Sequence, residues 1–147
     1  MHQQGACFAI HVHEADRYGN CRIRGTPVAD LDVARAAKKL IITCERLVPN
    51  DEIRSDPSRT CIPFFCVDAV CEVPFGSYPG NMPYEYFSDE AHLRRWLEVE
   101  ADLTAYQAFL DEYLYGVPDF NAYLQKCGGL ARLQQLRRQE FLLDRGP

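Results

Sequence analysis

No apolar run in this 147-residue chain approaches the roughly 18 residues that cross a bilayer, and Met1-His2-Gln3-Gln4 does not open a signal peptide. On that pattern the chain reads as soluble, cytoplasmic and not a membrane protein. Positive charge is short as well: 16 Lys and Arg face 21 Asp and Glu, a net charge of −5, which argues against a nucleic-acid binder or a polybasic membrane surface. The Gly-x-Gly-x-x-Gly, Walker and Gly-x-Ser-x-Gly patterns are missing, so dinucleotide, nucleoside triphosphate and serine-hydrolase readings lack their mechanical parts. Close Cys-x2-Cys pairs are absent too. The seven cysteines are odd in number and lie mostly in apolar runs, which predicts buried free thiols rather than disulfides or a zinc site.

What is present fits one domain of α/β type. Cys7 to His13 reads as a strand closed by the turn Tyr18-Gly19-Asn20. Asp30 is placed to cap a helix with Val33, Ala36, Ala37 and Leu40 on its apolar face, and Leu40 to Cys44 returns to strand, a unit that predicts a parallel sheet. A short helix is expected around Asp51 to Arg54, and Cys61 to Val73 reads as a further strand, its Phe64-Phe65-Cys66-Val67 run suiting a strand covered on both faces. From Ser88 the periodicity turns helical. Ser88 is expected to cap a helix carrying Leu93, Trp96 and Leu97, followed by a longer one through Tyr106, Phe109, Leu110, Tyr113 and Leu114 that ends at Gly116-Val117-Pro118. Asp119 then caps a short helix, and Gly128-Gly129 separates it from a last basic one. The division is therefore an α/β part over residues 1–86 and a helical part over 87–147. Three strands are few for a sheet buried on both faces.

The strand and loop from Ile62 to Asn81 carry the most chemistry. Pro74 and Pro79 fix φ, while Gly76 and Gly80 let a partner approach bare main chain, which suits either a ligand platform or a rigid turn capping a core strand. Within it, Gly76, Ser77, Tyr78 and Asn81 are candidate binding residues, with the Ser77 hydroxyl and loop N–H groups able to hold a carboxylate or an oxyanion. Glu72, just before the loop, is a fifth candidate. Asp68 and Glu72 share a strand face but would sit about 13 Å apart, too far to flank one scissile bond, and Asp68 is expected to be a buried, hydrogen-bonded acid. His11 and His13 point to one strand face and read as hydrogen-bonded structural histidines. No metal site is assigned. The aromatic stripe Tyr106, Phe109, Tyr113 reads as core rather than a ligand box.

Taken together, His11-Val-His-Glu-Ala-Asp-Arg-Tyr-Gly-Asn20, Ala34-Arg-Ala-Ala-Lys-Lys-Leu-Ile-Ile-Thr-Cys-Glu45, Val67-Asp-Ala-Val70 and Glu72-Val-Pro-Phe-Gly-Ser-Tyr-Pro79 resemble the later part of the A (alpha) subunit of family I CoA-transferases, glutaconate type. The resemblance runs from about Phe8 to Leu143. It implies a partial open, mostly parallel sheet followed by a helical segment, packed in the full enzyme against a B (beta) subunit of similar architecture. It implies CoA transfer between an acyl-CoA and a carboxylic acid, through a glutamate that forms an anhydride and then a glutamyl thioester. That glutamate belongs to the B subunit in the glutaconate type. No catalytic residue is therefore assigned to this chain, and neither Glu45 nor Glu72 inherits the role.

The family's amino-terminal half and its Gly-rich CoA-binding segment have no counterpart here, since the only adjacent glycines are Gly128-Gly129. The resemblance therefore implies a fragment, a truncated gene or half of a split subunit, inactive alone, with coenzyme A thioester as substrate and no resident cofactor. An exposed apolar edge near Cys7 to His13 is expected to favour self-association or a partner. Two alternatives stay open: a CoA-thioester ring-opening hydrolase subunit of the same fold, and a non-catalytic remnant that binds a B-like subunit.

Overall fold

The computed structural model describes residues 6–143. The chain divides into two compact units, one ending at Ser77 and one beginning at Tyr78.

In the first unit, β1 (Cys7–Ala15), α1 (Asp30–Ala36) and β3 (Lys39–Leu47) form the expected strand, helix, strand unit, and β1 and β3 pair in parallel with His11 opposite Thr43. A four-stranded sheet results, in the order β2-β1-β3-β4, where β2 is Cys21–Arg22 and β4 is Ala69–Glu72. The antiparallel β2 is the fourth strand that periodicity misses, because two residues carry no period. One sheet face presents Ile10, Val12, Leu40, Ile42 and Cys44 to Ala34 and Ile62, and forms the core. On the other face Cys7, Ala9, Ile41, Ala69 and Cys71 are exposed. β2 meets β1 only at Glu14 and Ala15, so among the described residues Cys7 to His13 pair with β3 alone.

The structure departs from the sequence pattern at several points. Cys61 to Val73 is not one strand. Phe64–Cys66 is a 3-10 turn in which Cys66 N–H donates to the Pro63 carbonyl and Val67 N–H to the Phe64 carbonyl, and Phe64 and Phe65 are exposed rather than covered on both faces. Asp68 is exposed, not buried, although it is hydrogen-bonded: Oδ2 accepts from Leu40 N–H and Oδ1 from Lys39 Nζ. Of the seven cysteines, all free thiols, only Cys21 and Cys44 are buried. Ala29, not Asp30, occupies the cap position of α1, and Asp30 serves as a first-turn acid. The short helix α2 runs over Asn50–Ser55, and its carboxy-terminal carbonyls are held by the buried Arg22 guanidinium, which donates to the Glu52, Ile53 and Asp56 oxygens.

The second unit is helical: α3 (Glu90–Val99), α4 (Leu103–Leu110) running into a π-helical turn at Asp111–Tyr115, α5 (Phe120–Lys126) and α6 (Gly129–Leu143). Asp89, not Ser88, caps α3, because its carboxylate accepts from His92 N–H. Asp119 caps α5 as expected, accepting from Ala122 N–H.

Candidate functional site

The five residues singled out in sequence divide between the units, with Glu72, Gly76 and Ser77 in the first and Tyr78 and Asn81 in the second. In the first unit the turn after β4 is held by the two central strands. The His11 and Thr43 pairing sets their side chains on one sheet face, and Glu45 follows two residues on along β3. His11 Nδ1 lies 2.9 Å from Thr43 Oγ1, and His11 Nε2 lies 2.8 Å from Glu45 Oε1. A carboxylate only accepts, so in the neutral ring Nε2 carries the proton and Nδ1 accepts from the Thr43 hydroxyl. The second Glu45 oxygen accepts from Phe75 N–H at 2.8 Å.

Phe75 has φ +62°, in the left-handed region, where a side chain other than glycine is unusual. Gly76 then passes over His11 so closely that a Cβ there would lie 2.5 Å from His11 Cε1. Its N–H donates to the Val73 carbonyl at 3.0 Å. The amides of Phe75 and Gly76 are thus used inside the chain, and an anion at this turn would be held by other groups. Glu72 is exposed, with Oε1 accepting from Leu47 N–H at 2.8 Å, which ties the end of β4 to the end of β3. Ser77 is half-buried.

In the second unit, Tyr78 is buried and its hydroxyl donates to Asp89 Oδ2 at 2.8 Å. Burial, and then the Asp89 hydrogen bond, push the Tyr78 phenol well above its ordinary range. Tyr78 also walls a cavity of about 770 Å³ with Pro79, His92, Trp96, Phe109, Tyr113 and Tyr123 among its neighbours. The aromatic stripe expected as core therefore borders open space, while Tyr113 alone of Tyr106, Phe109 and Tyr113 is buried. Burial holds the His92 imidazole below its ordinary pKa, although Asp89 acts the other way. Asn81 is exposed.

The two buried thiols are quiet. Burial pushes the Cys21 thiol up to about 12 and Cys44 up to about 11, so neither is a thiolate at neutral pH. His13 is buried and its Nδ1 accepts from Arg24 N–H at 3.0 Å, which fits a structural histidine. Among the described residues no His, Cys, Asp and Glu cluster could hold a metal, and no helix is long and apolar enough to cross a membrane. Thr43 and Glu45 carry no local sequence signal of a site. Their link to His11 spans more than 30 positions, and the same-face alternation of two neighbouring strands is the signal that points to it.

A partial open, mostly parallel sheet followed by a helical segment is the fold of the CoA-transferase type. The crystal structure of glutaconate coenzyme A-transferase from Acidaminococcus fermentans matches with a TM-score of 0.85 at 36% identity, over 88% of this chain and 41% of that one. No protein-family model matches. In sequence, the chain is 37% identical over 119 residues to the A subunit of glutaconate CoA-transferase from Acidaminococcus fermentans (81% of this chain, 37% of the relative). It is 32% identical over 117 residues to the A subunit of 3-oxoadipate CoA-transferase from Pseudomonas knackmussii (80% of this chain, 41% of the relative). An uncharacterized protein of Archaeoglobus fulgidus is 49% identical over 144 residues, which is 95% of this chain and 32% of that protein. The chain resembles the A subunit of CoA-transferases, glutaconate type, and spans about a third to two fifths of the length of these relatives. A variant of the decarboxylase AibA/AibB shares the fold with a TM-score of 0.60 at 30% identity, over 74% of this chain and 38% of that one.

Proposed function

We propose that this chain supplies part of the A-subunit wall of a CoA-transferase that moves CoA between an acyl-CoA and a carboxylic acid. The observation that carries the reading is the 37% identity to the A subunit of a glutaconate CoA-transferase over 81% of the chain. The nucleophilic glutamate resides on a partner B subunit, coenzyme A thioester is a substrate rather than a resident cofactor, and the chain by itself is inactive. Covalent capture of CoA on that glutamate divides one exchange into two easier half-reactions, with ping-pong kinetics as the consequence.

In this proposal the Ser77 hydroxyl holds the carboxylate of the acceptor acid, on a turn whose path Gly76 permits. Glu72 fixes the start of the turn. Tyr78 and Asn81 serve as wall or subunit-interface residues. In a complete A/B enzyme, Ser77→Ala is expected to lower kcat/KM for the acceptor acid about 10- to 100-fold, the loss of one hydrogen bond to a charged group. Unchanged kinetics in steady-state assays would remove Ser77 from the site.

A second chemistry on the same fold is favoured by the likeness to a decarboxylase. It would leave the fold reading intact and turn the site to breaking a carbon–carbon bond, as the ring-opening hydrolase alternative also does. Incubating the assembled enzyme with an acyl-CoA and an acceptor acid separates these, because only a transferase forms the acceptor's thioester. Activity from this chain without a partner would overturn the placement of the nucleophile on a B subunit.

A further inference from the structure

We propose that Glu45 and His11 are the positioning pair of the candidate site: they fix the backbone of the Val73 to Ser77 turn and touch no substrate themselves. This rests on the function proposed above and deepens it.

Four observations converge. Glu45 is buried, yet both its oxygens are engaged, Oε1 with His11 Nε2 at 2.8 Å and Oε2 with Phe75 N–H at 2.8 Å. A buried carboxylate is costly unless such partners satisfy it, so its retention there ties β3 to the turn. Phe75 sits at φ +62°, a conformation with an energetic cost for a residue with a side chain, which persists where surrounding contacts over-determine it. The imidazole of His11 forms the floor on which Gly76 rests, with no space for a methyl group. Finally, His11 is itself oriented by Thr43 on the other ring nitrogen. A single hydrogen-bonded chain, Thr43 to His11 to Glu45 to the Phe75 amide, thus runs from the two central strands to the turn that carries Ser77. The rigid sheet sets the position of the turn, which is how a weakly structured segment is held within the fraction of an ångström that binding requires.

The chemistry predicts an order among variants. Glu45→Gln keeps an oxygen for Phe75 N–H, and its amide can donate to His11 Nε2 once the ring shifts its proton to Nδ1 and donates to Thr43. Glu45→Ala removes both bonds. Gly76→Ala leaves Glu45 intact but drives a Cβ into His11.

Two measurements test the pair. In the purified chain, amide hydrogen exchange at Phe75 is expected to accelerate at least about 100-fold in Glu45→Ala and to stay near wild type in Glu45→Gln, since the protecting bond is lost only in the first. Unchanged exchange in Glu45→Ala overturns the inference whatever the enzyme does. In the assembled A/B enzyme, Glu45→Ala and Gly76→Ala are each expected to lower kcat/KM for the acceptor acid about 100-fold, the scale of a displacement near 1 Å. Glu45→Gln should recover most of that loss, with the melting temperature of the assembled Glu45→Gln enzyme unchanged. If Glu45→Ala does not fold, Gly76→Ala and Glu45→Gln decide the question, and wild-type kinetics in Gly76→Ala overturn the inference. A wild-type assembly that transfers no CoA overturns the proposed function instead, while the exchange result still decides the role of Glu45 in the turn.

Discussion

Replacing Asp89 with alanine is expected to destabilise the helical unit by about 2–4 kcal/mol, the combined scale of an orphaned buried donor and a lost helix cap. Asp89 is 3% exposed. Arg132 reaches it twice, Nε at 3.0 Å and Nη2 at 2.7 Å, while the Tyr78 hydroxyl donates at 2.8 Å and His92 N–H at 3.2 Å. Alanine would leave the Tyr78 hydroxyl buried without its acceptor, the Arg132 guanidinium without its counter-charge and α3 without its cap. Against a total stability of about 5–15 kcal/mol for a typical domain, that is a large fraction. Trp96, the only tryptophan, lies on α3 and reports the unfolding of this unit by fluorescence in urea. A loss below about 1 kcal/mol would show the ion pair to be dispensable, because it is less than a helix cap alone is worth.

The same residue sets an acid limit. Burial works to raise the Asp89 pKa, but the hydrogen bonds from Arg132 and Tyr78 prevail and draw it from 3.8 down to about 2. A depressed carboxylate contributes stability above its unfolded pKa and loses it as pH falls through the folded value. The contribution is about 2 kcal/mol at neutral pH, and it should fade between pH 4 and pH 2. Asp89→Asn should flatten that part of the pH profile.

The second large effect is expected at Asp16 in the α/β unit. Its Oδ1 accepts from the N–H groups of Tyr18, Gly19 and Asn20 at 2.9 to 3.0 Å, and Oδ2 from the side-chain amides of Asn20 and Asn50 at 2.8 and 2.7 Å. The residue is fully buried, and the turn it closes requires Gly19 at φ +101°, pressed against Val67. Asp16→Ala would strand these donors, and a cost of about 3 kcal/mol follows from the desolvation of the ones water cannot reach. Burial raises the Asp16 pKa, yet Asn20, Asn50 and the turn amides outweigh it and hold the carboxyl below its ordinary range. Its contribution, like that of Asp89, is therefore lost on the acid side. Hydrogen exchange across β1 and β3 measures the effect, and protection equal to wild type would show that the turn does not need its carboxylate.

Much of this architecture is legible in the residues. The β1, α1, β3 unit, the short α2, the Asp119 cap and the change to helix after the Pro/Gly loop all follow from local pattern. The failures have physical causes. Phe64 to Val67 looks like a buried strand by composition, but Pro63 and the i to i+3 bonds that follow it fold the run into a turn. Ser88 and Asp89 are both good capping residues, and only the second has its carboxylate aimed at the helix amides, where Arg132, 43 positions away, also reaches it. The candidate loop itself is visible from its prolines and glycines. Its anchors, His11, Thr43 and Glu45, are set by strand register, and register depends on contacts between distant segments rather than on local preference.

The turn after β4 is held through its main chain: Glu45 grips an amide, and Gly76 meets His11 by having no side chain at all. Neither contact consults the side chains of Pro74 or Asn81, both of which are exposed. Shape and selectivity are thereby stored in different atoms. A lineage that kept residues 11, 43, 45 and 76 would be free to exchange what the turn displays without having to find a new backbone path.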